Sequence, residues 1–216
     1  MIQYATESKC FSPIDTHAVY LKSAPSFFKS TKPTHGWKTD PDVLRRVEEH
    51  IPSDKTLIRS QAPHYPGHDA ILTLNADDIK FLKEHKVDGI ISFNQYPYDA
   101  ASKKLLQDNN IGLLHCPVED FTAQTLSDFE NVYKFFMDRK TTLMHCGYGH
   151  GRTGAGVTAI QLYHTKGAHP TTEEVTREKG AINHIEEKVQ KDALEGLRKK
   201  IREEFVPDNP SRGLVY

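Results

Sequence analysis

The sequence predicts an α/β fold with a mainly parallel central sheet flanked by helices. Along most of the chain, apolar runs of strand length alternate with segments in which apolar residues recur every three or four positions. A helix between two consecutive strands supplies the crossover connection that a parallel pair of strands requires. Further helical segments after the last predicted strand are sufficient to place helices on both faces of the sheet.

Each element is predicted from its own local pattern. Strands are predicted at the apolar runs 56–60, 88–93, 112–118 and 141–146. Helices are predicted at 43–50, 76–86, 98–110, 126–137, 153–167, 171–179 and 186–205. Asn75 is a favourable N-cap for the second of these helices, and Asp40 followed by Pro41 is a helix-start signal before the first.

Length and composition favour one globular domain with a well-buried core, because 216 residues with 37% apolar side chains are typical of soluble proteins. We assign this domain to residues 55–216. Residues 1–54 are expected to form an N-terminal extension that is partly ordered, because Phe27, Phe28 and Trp37 need burial.

Charge and cysteine content exclude several classes of partner and location. The net charge of −1, from 28 basic and 29 acidic residues, argues against a nucleic-acid partner. No apolar run is long enough for a membrane span, and residues 1–13 lack a signal-peptide pattern. Three scattered cysteines suit a reducing compartment, so a cytoplasmic location is expected. A secreted effector acting in a host cytosol would have the same features.

The segment LMHCGYGHGRTG, residues 143–154, is the part of the sequence that predicts chemistry. It lies at a junction between a strand and a helix, where a glycine-rich turn leaves backbone N–H groups directed at a common point. Such a nest, closed by a helix N-terminus, binds anions. Gly147, Gly149 and Gly151 allow the close approach that a phosphate requires. Arg152 could bind two phosphoryl oxygens with its planar fork.

Cys146 at the base of this loop is the candidate nucleophile. The nest, the helix dipole and Arg152 all favour the thiolate over the thiol. A thiolate beneath a bound phosphate is placed for in-line attack on phosphorus. The hydroxyl of Thr153 could donate to the sulfur and later ease its departure.

These residues carry a family resemblance. The sequence HCGYGHGRT matches the signature of the protein tyrosine phosphatase superfamily, in which His-Cys, five residues and Arg-Ser/Thr follow one another. Over about residues 55–205 the chain is similar to the compact dual-specificity branch. The resemblance implies a dual-specificity-phosphatase-like fold and a phosphocysteine intermediate. It also implies that His145 tunes the thiolate, with a plain core histidine as the alternative. The substrate-binding residues would be His145, Gly147, Tyr148, Gly149, His150 and Gly151.

The resemblance further implies a general acid on a loop upstream of the cysteine. Asp120, in CPVEDFTAQTL, lies 26 residues before Cys146 and is the first candidate. Glu119 and Asp128 are the alternatives. The same carboxylate could instead cap the helix that follows.

Two other segments resemble parts of small phosphatases. Arg59 lies in IRSQAP, residues 58–63, and is expected either to border the site or to form an ordinary salt bridge. Residues 179–190 resemble a segment that often holds a water-positioning glutamine, but neither Glu187 nor Gln190 is assigned this role.

No metal or other cofactor is predicted. His64 and His68 are four residues apart, but they lie in a loop rich in proline and glycine rather than on a helix. Cys116 is predicted to be a core strand residue rather than a disulfide partner of Cys146.

The leading hypothesis is a phosphatase acting on protein phosphotyrosine, and by extension on phosphoserine and phosphothreonine. Its partner is then a phosphorylated protein or a small phosphomonoester. A phosphoinositide, an inositol phosphate or an RNA 5′-phosphate is an alternative substrate. The absence of lysine from residues 147–151 favours the protein substrate. A catalytically inactive phosphate-binding module is the alternative from a different class.

Overall fold

A computed structural model of the chain describes residues 35–38 and 44–205, which form a five-stranded sheet with helices around it. The strands are β1 Arg45–Val47, β2 Thr56–Ser60, β3 Gly89–Ser92, β4 Gly112–His115 and β5 Thr141–His145. Their order across the sheet is β1-β2-β5-β3-β4. β1 runs antiparallel to β2, and the other neighbouring pairs are parallel. The predicted fold class is confirmed.

The helices follow the predicted segments closely after residue 75. They are α1 Ala76–Glu84, α2 Ala100–Asp108, α3 Leu126–Met137, α4 Gly151–His164, α5 Thr172–Thr176 and α6 Lys188–Phe205. A short 3₁₀ turn spans Ile182–His184. The predicted N-cap Asn75 is confirmed, because its side chain accepts hydrogen bonds from the backbone N–H groups of Asp77 and Asp78.

The helix predicted at 43–50 is wrong, because Arg45–Val47 forms β1. A helix of two turns is marginal by itself. The edge of β2 offers this segment backbone hydrogen bonds, and Leu44 beside it is buried. Tertiary contacts therefore override the local helical pattern. Outside the described residues lie the other features predicted nearby: Phe27, Phe28, Asp40 and Pro41.

The described residues before position 54 contribute to the packing of the structure. Trp37 is only 1% exposed, and its ring stacks on Phe81 of α1 with centroids 5.2 Å apart. The backbone N–H of Gly36 donates to the carboxylate of Asp78 at 2.6 Å. The described part of the N-terminal extension thus supplies both a strand of the sheet and a buried aromatic side chain.

Helix α4 lies at the centre of the core. One apolar cluster joins it to the sheet and α3, and a second joins it to α6. The predicted apolar face of α6 is buried at Leu194, Leu197 and Ile201, but Phe205 at its end is exposed. Cys116 is a buried core residue, as predicted.

Within 35–38 and 44–205, no helix is long and apolar enough to cross a membrane.

Candidate active site

The loop between β5 and α4 carries the predicted catalytic sequence. β5 ends at His145 in the middle of the sheet and α4 begins at Gly151. Residues 146–150 therefore cross the carboxyl ends of the parallel strands, where α/β proteins commonly bind ligands. The loop is tied to the end of β2, because the N–H of Ala62 donates to the carbonyl of Gly147 at 2.8 Å.

Cys146 lies at the base of this loop and is only 3% exposed. The backbone N–H of Gly149 donates to its Sγ at 3.2 Å. Gly149 has a φ of 95°, and a Cβ there would lie 2.6 Å from the carbonyl oxygen of Ser60. Only glycine fits this position, so the glycine predicted from the sequence has a defined structural reason.

Arg59 holds the same loop through backbone carbonyls. Its Nη2 donates to the carbonyl of Gly149 at 2.7 Å, and its Nη1 donates to the carbonyl of Asn183 at 2.9 Å. The side chain is fully buried, and this burial is the main cause that lowers its pKa to about 10. Arg59 therefore connects the catalytic loop to the segment after α5 and does not form an ordinary surface salt bridge.

The guanidinium of Arg152 is buried and already surrounded by acceptors. Its Nη1 and Nη2 lie 2.6 and 3.1 Å from the two carboxylate oxygens of Asp69. Nη1 also donates to the carbonyl of Val118 at 2.9 Å, and Nη2 forms an ion pair with Asp120 at 2.8 Å. Burial acts to lower the pKa of Arg152, but the bond to Asp69 and the charges of Cys146 and Asp120 raise it overall. The side chain stays positively charged.

Asp120 lies in a tight turn, in which the N–H of Thr122 donates to the carbonyl of Glu119 at 3.1 Å. The side chain of Asp120 is half-exposed and reaches Arg152. Phe121, at the next position of the turn, has a φ of 62° and is 68% exposed. Glu119 is exposed to solvent.

Asp128, the more distant acid candidate, caps the N-terminus of helix α3. Its carboxylate accepts hydrogen bonds from the N–H and the hydroxyl of Thr125, at 2.9 and 2.7 Å. The pair forms a reciprocal capping box. Of the three acid candidates, the structure brings Asp120 to the predicted phosphate-binding arginine.

His145 is fully buried between two hydrogen-bonding partners. Its Nδ1 lies 2.9 Å from the carbonyl oxygen of Cys146, and its Nε2 lies 2.8 Å from the hydroxyl of Tyr98. Burial is the main cause that lowers its pKa to about 4. The imidazole is therefore neutral at ordinary pH.

The other predicted loop residues form the rim of the site. Tyr148 is half-exposed, with its ring 6.5 Å from that of Tyr65 and 4.7 Å from that of His150. The amide N–H of Gly151 donates to the carboxylate of Glu186 at 3.0 Å. The hydroxyl of Thr153 is buried and makes no hydrogen bond within the part of the chain that the structure describes.

Gln190 connects the acid turn to the start of α6. Its Nε2 donates to the carbonyl of Thr122 at 3.0 Å. Its Oε1 accepts from the backbone N–H groups of Glu186 and Glu187, at 3.3 and 3.2 Å. Gln190, in the segment 179–190, thus contacts the turn that carries Asp120.

Several residues of this site were not found from the sequence: Tyr65, Asp69, Tyr98 and Glu186. They lie far from residues 146–152 in the chain, and none belongs to a local motif. The only available signal was their position in segments that follow strands or join helices, near the carboxyl edge of the sheet.

In the loop after β2, His64 has a carboxylate partner. His64 pairs with Asp78 at 2.8 Å. Among the described residues, no group of three or more histidine, cysteine, aspartate or glutamate side chains is arranged to hold a metal ion.

Solved phosphatase structures share this fold. PTPMT1, in its complex with PI(5)P, is 15% identical and has a TM-score of 0.53, covering 76% of this chain and 99% of its own. Kinase associated phosphatase, with its catalytic site cysteine replaced by serine, is 18% identical with a TM-score of 0.51, covering 80% and 98%. A mutant form of Tk-PTP is 17% identical with a TM-score of 0.50, covering 74% and 97%. At these identities the likeness concerns the fold.

Comparison with protein families gives a more specific result. A search of curated protein sequences finds no match. Residues 71–204 match the family described as "Swiss Army Knife protein, DSP-PTPase phosphatase domain". This match covers more than half of the chain and includes the loop that carries Cys146 and Arg152. The chain therefore belongs to this family of dual-specificity-like phosphatases within the cysteine-dependent protein tyrosine phosphatase superfamily.

Proposed function

We propose that this phosphatase hydrolyses phosphomonoesters with Cys146 as nucleophile, through a phosphocysteine intermediate. The observation that carries the proposal is the position of the Cys146 sulfur. It lies within a glycine-rich loop that directs the Gly149 N–H toward it, at the N-terminus of a fourteen-residue helix that carries Arg152. Backbone N–H groups and a helix N-terminus favour a thiolate and a bound phosphate at the same place.

The reaction has two steps. First, the thiolate of Cys146 attacks phosphorus, the bond from phosphorus to the ester oxygen breaks, and Asp120 gives its proton to the leaving alcohol. Second, water attacks the phosphocysteine, Asp120 takes a proton from that water, and the phosphorus–sulfur bond breaks. Arg152 and the loop amides stabilise the charge on the phosphoryl oxygens. The buried hydroxyl of Thr153 is available to stabilise the departing sulfur.

Asp120 is ion-paired with Arg152 as a carboxylate in this structure, so it must leave the arginine and take up a proton before it can protonate the ester oxygen. A phosphoryl group that binds Arg152 supplies two negative oxygens in place of the carboxylate. Arrival of the substrate therefore releases Asp120 toward the leaving group.

We propose phosphotyrosine in proteins as the substrate, and the aromatic rim supports this choice. Tyr65 lies beside the catalytic groups: burial raises its pKa, and the negative charges of Asp69, Asp120 and Cys146 raise it further. With Tyr148 it offers two aromatic rings to a flat phenyl ester. A reducing compartment such as the cytoplasm would keep the thiol of Cys146 active.

The first test is hydrolysis of para-nitrophenyl phosphate in EDTA and reductant, by the wild-type protein and by Cys146→Ser. We expect activity in the wild type and none in the variant. A panel of phosphotyrosine, phosphoserine and phosphothreonine peptides, phosphoinositides, inositol phosphates and 5′-phosphorylated RNA then ranks the substrates by kcat/KM. Preference for any of the last three would contradict the protein-substrate proposal. A folded wild type without turnover would favour a phosphate-binding module.

The second test concerns the acid. Asp120→Ala is expected to lower kcat by about 10²–10⁴-fold, as for loss of a general acid. Binding of inorganic phosphate should persist. Glu119→Ala is the matched control, since this neighbouring side chain is exposed. Undiminished turnover in Asp120→Ala, with loss in Glu119→Ala, would reassign the acid to Glu119.

A further inference from the structure

Asp69 binds the phosphate-gripping arginine, although the proposed chemistry gives this carboxylate no step. An arginine has five N–H donors in a fixed planar arrangement with two forks. The end fork, formed by Nη1 and Nη2 of Arg152, is occupied by the two oxygens of Asp69 at 2.6 and 3.1 Å. The carbonyl oxygen of Val118 accepts a further hydrogen bond from Nη1. In the side fork, formed by Nε and Nη2, Asp120 contacts Nη2 at 2.8 Å, so this fork can take a phosphoryl group once Asp120 has left.

Asp69 is itself held firmly in place. Its side chain is 6% exposed, and Oδ2 accepts the backbone N–H of Gln95 at 2.9 Å. Burial acts to raise the pKa of Asp69, but the hydrogen bonds from Arg152 and Gln95 lower it overall. A Cβ at Gly147 would collide with Asp69 Oδ1, so the carboxylate lies directly against the catalytic loop. Asp69 can occupy this position because Gly147 has no side chain.

We infer that Asp69 is a positioning residue, which clamps the end fork of Arg152 so that the side fork faces the phosphate above Cys146. The inference rests on the proposed role of Arg152 as the phosphate-binding residue. A long side chain that is already ordered loses less conformational entropy when an anion binds. Asp120 contacts only Nη2, so it is the carboxylate that the substrate displaces, while Asp69 stays in place.

The opposite role for Asp69 is competition with the substrate for Arg152. The two roles predict opposite signs. Removing a clamp weakens binding of a phosphate-like anion, whereas removing a competitor strengthens it. The bidentate contact, the bond from Gln95 and the burial of the carboxylate favour the clamp, because together they fix one orientation.

The test measures binding of inorganic tungstate, a phosphate-like dianion, to protein carrying Cys146→Ser, so that no turnover is needed. In this background we expect Asp69→Asn to weaken binding by about tenfold or more, because the amide NH₂ faces the arginine donors and one charge-assisted bond is lost. Asp120→Asn is the matched variant, and its tungstate affinity should be unchanged or higher. Asp69→Ser serves in the same way where Asp69→Asn does not fold.

A double-mutant cycle shows whether Asp69 acts through Arg152. Lysine cannot form the two-fork arrangement. In otherwise wild-type protein, Asp69→Asn should lower kcat/KM for para-nitrophenyl phosphate by about tenfold, and in the Arg152→Lys background by less than about twofold. An equal loss in both backgrounds would mean that Asp69 acts on folding and not on Arg152.

Different results would contradict the positioning role of Asp69 and the phosphatase mechanism. Unchanged or tighter tungstate binding in Asp69→Asn overturns the positioning role and leaves the phosphatase mechanism intact. A wild-type protein that binds tungstate without hydrolysing any phosphomonoester contradicts the mechanism, and the effect of Asp69→Asn on tungstate affinity still decides the inference.

Discussion

Protonation of His145 is expected to destabilise the protein as the pH falls, because both ring nitrogens are committed inside the core. The carbonyl of Cys146 can only accept, so Nδ1 of His145 donates to it. Nε2 then carries a lone pair and accepts the hydroxyl hydrogen of Tyr98. A second proton on the ring would displace that hydrogen bond and place a full charge in a fully buried site.

The magnitude follows from the pKa of His145. Burial lowers this pKa from 6.5 to about 4. Between these two values the unfolded chain binds a proton at this residue and the folded chain does not. The free energy of unfolding therefore falls as the pH is lowered from 6.5 to 4. At about 1.4 kcal/mol for each pH unit, the full loss is about 3 kcal/mol.

The assay is urea unfolding of the wild type and of His145→Gln at several pH values between 6.5 and 4. Glutamine can accept a hydrogen bond near the position of Nε2, but it does not titrate. Contributions from the other histidines are common to both proteins and cancel in the difference. The wild type should lose about 3 kcal/mol more than the variant over this range. Parallel pH dependences of the two unfolding free energies would refute the reasoning.

Three further predictions concern packing and the catalytic loop. Trp37→Ala should lower the free energy of unfolding by about 3–5 kcal/mol, because the indole is buried against Phe81. Denaturant unfolding checks this, and a negligible change would mean that the contact of Trp37 with Phe81 does not stabilise the fold. Gly149→Ala should cost about 1–3 kcal/mol and abolish phosphatase activity, because the methyl group meets the carbonyl of Ser60; thermal unfolding and para-nitrophenyl phosphate hydrolysis measure both effects. Arg59→Lys should destabilise by about 1–3 kcal/mol, because lysine leaves one buried carbonyl without a donor; unchanged stability would contradict this.

The sequence predicted those elements whose patterns are local. The apolar stripe from Leu126 to Met137 gave the bounds of α3 correctly, because helical periodicity and the capping residue Thr125 lie within one short segment. The helix predicted at 43–50 was wrong for the opposite reason. The residues at 43–50 have a helical pattern, but the decisive contact is with β2, and no local window contains that partner.

The same distinction applies to the site. Cys146 and Arg152 lie within one contiguous loop motif, so a single segment was enough to find them. Asp69 is 83 residues from Arg152 in the sequence, and Tyr98 is 47 residues from His145. These contacts exist because parallel strands bring their carboxyl ends to one edge of the sheet, and which residues of the following loops meet there depends on the folded chain.

The turn that carries Asp120 places a phenylalanine where the backbone would accept glycine more easily. Phe121 has a left-handed conformation, which costs a residue with a Cβ about 1–2 kcal/mol. The turn is held on one side by the contact of Asp120 with Arg152 and on the other by the bond from Gln190 to Thr122. If a substrate takes the place of Asp120 at Arg152, as proposed above, the turn keeps only the bond from Gln190. A return of Phe121 to an ordinary backbone conformation would then favour the movement of Asp120 away from the arginine.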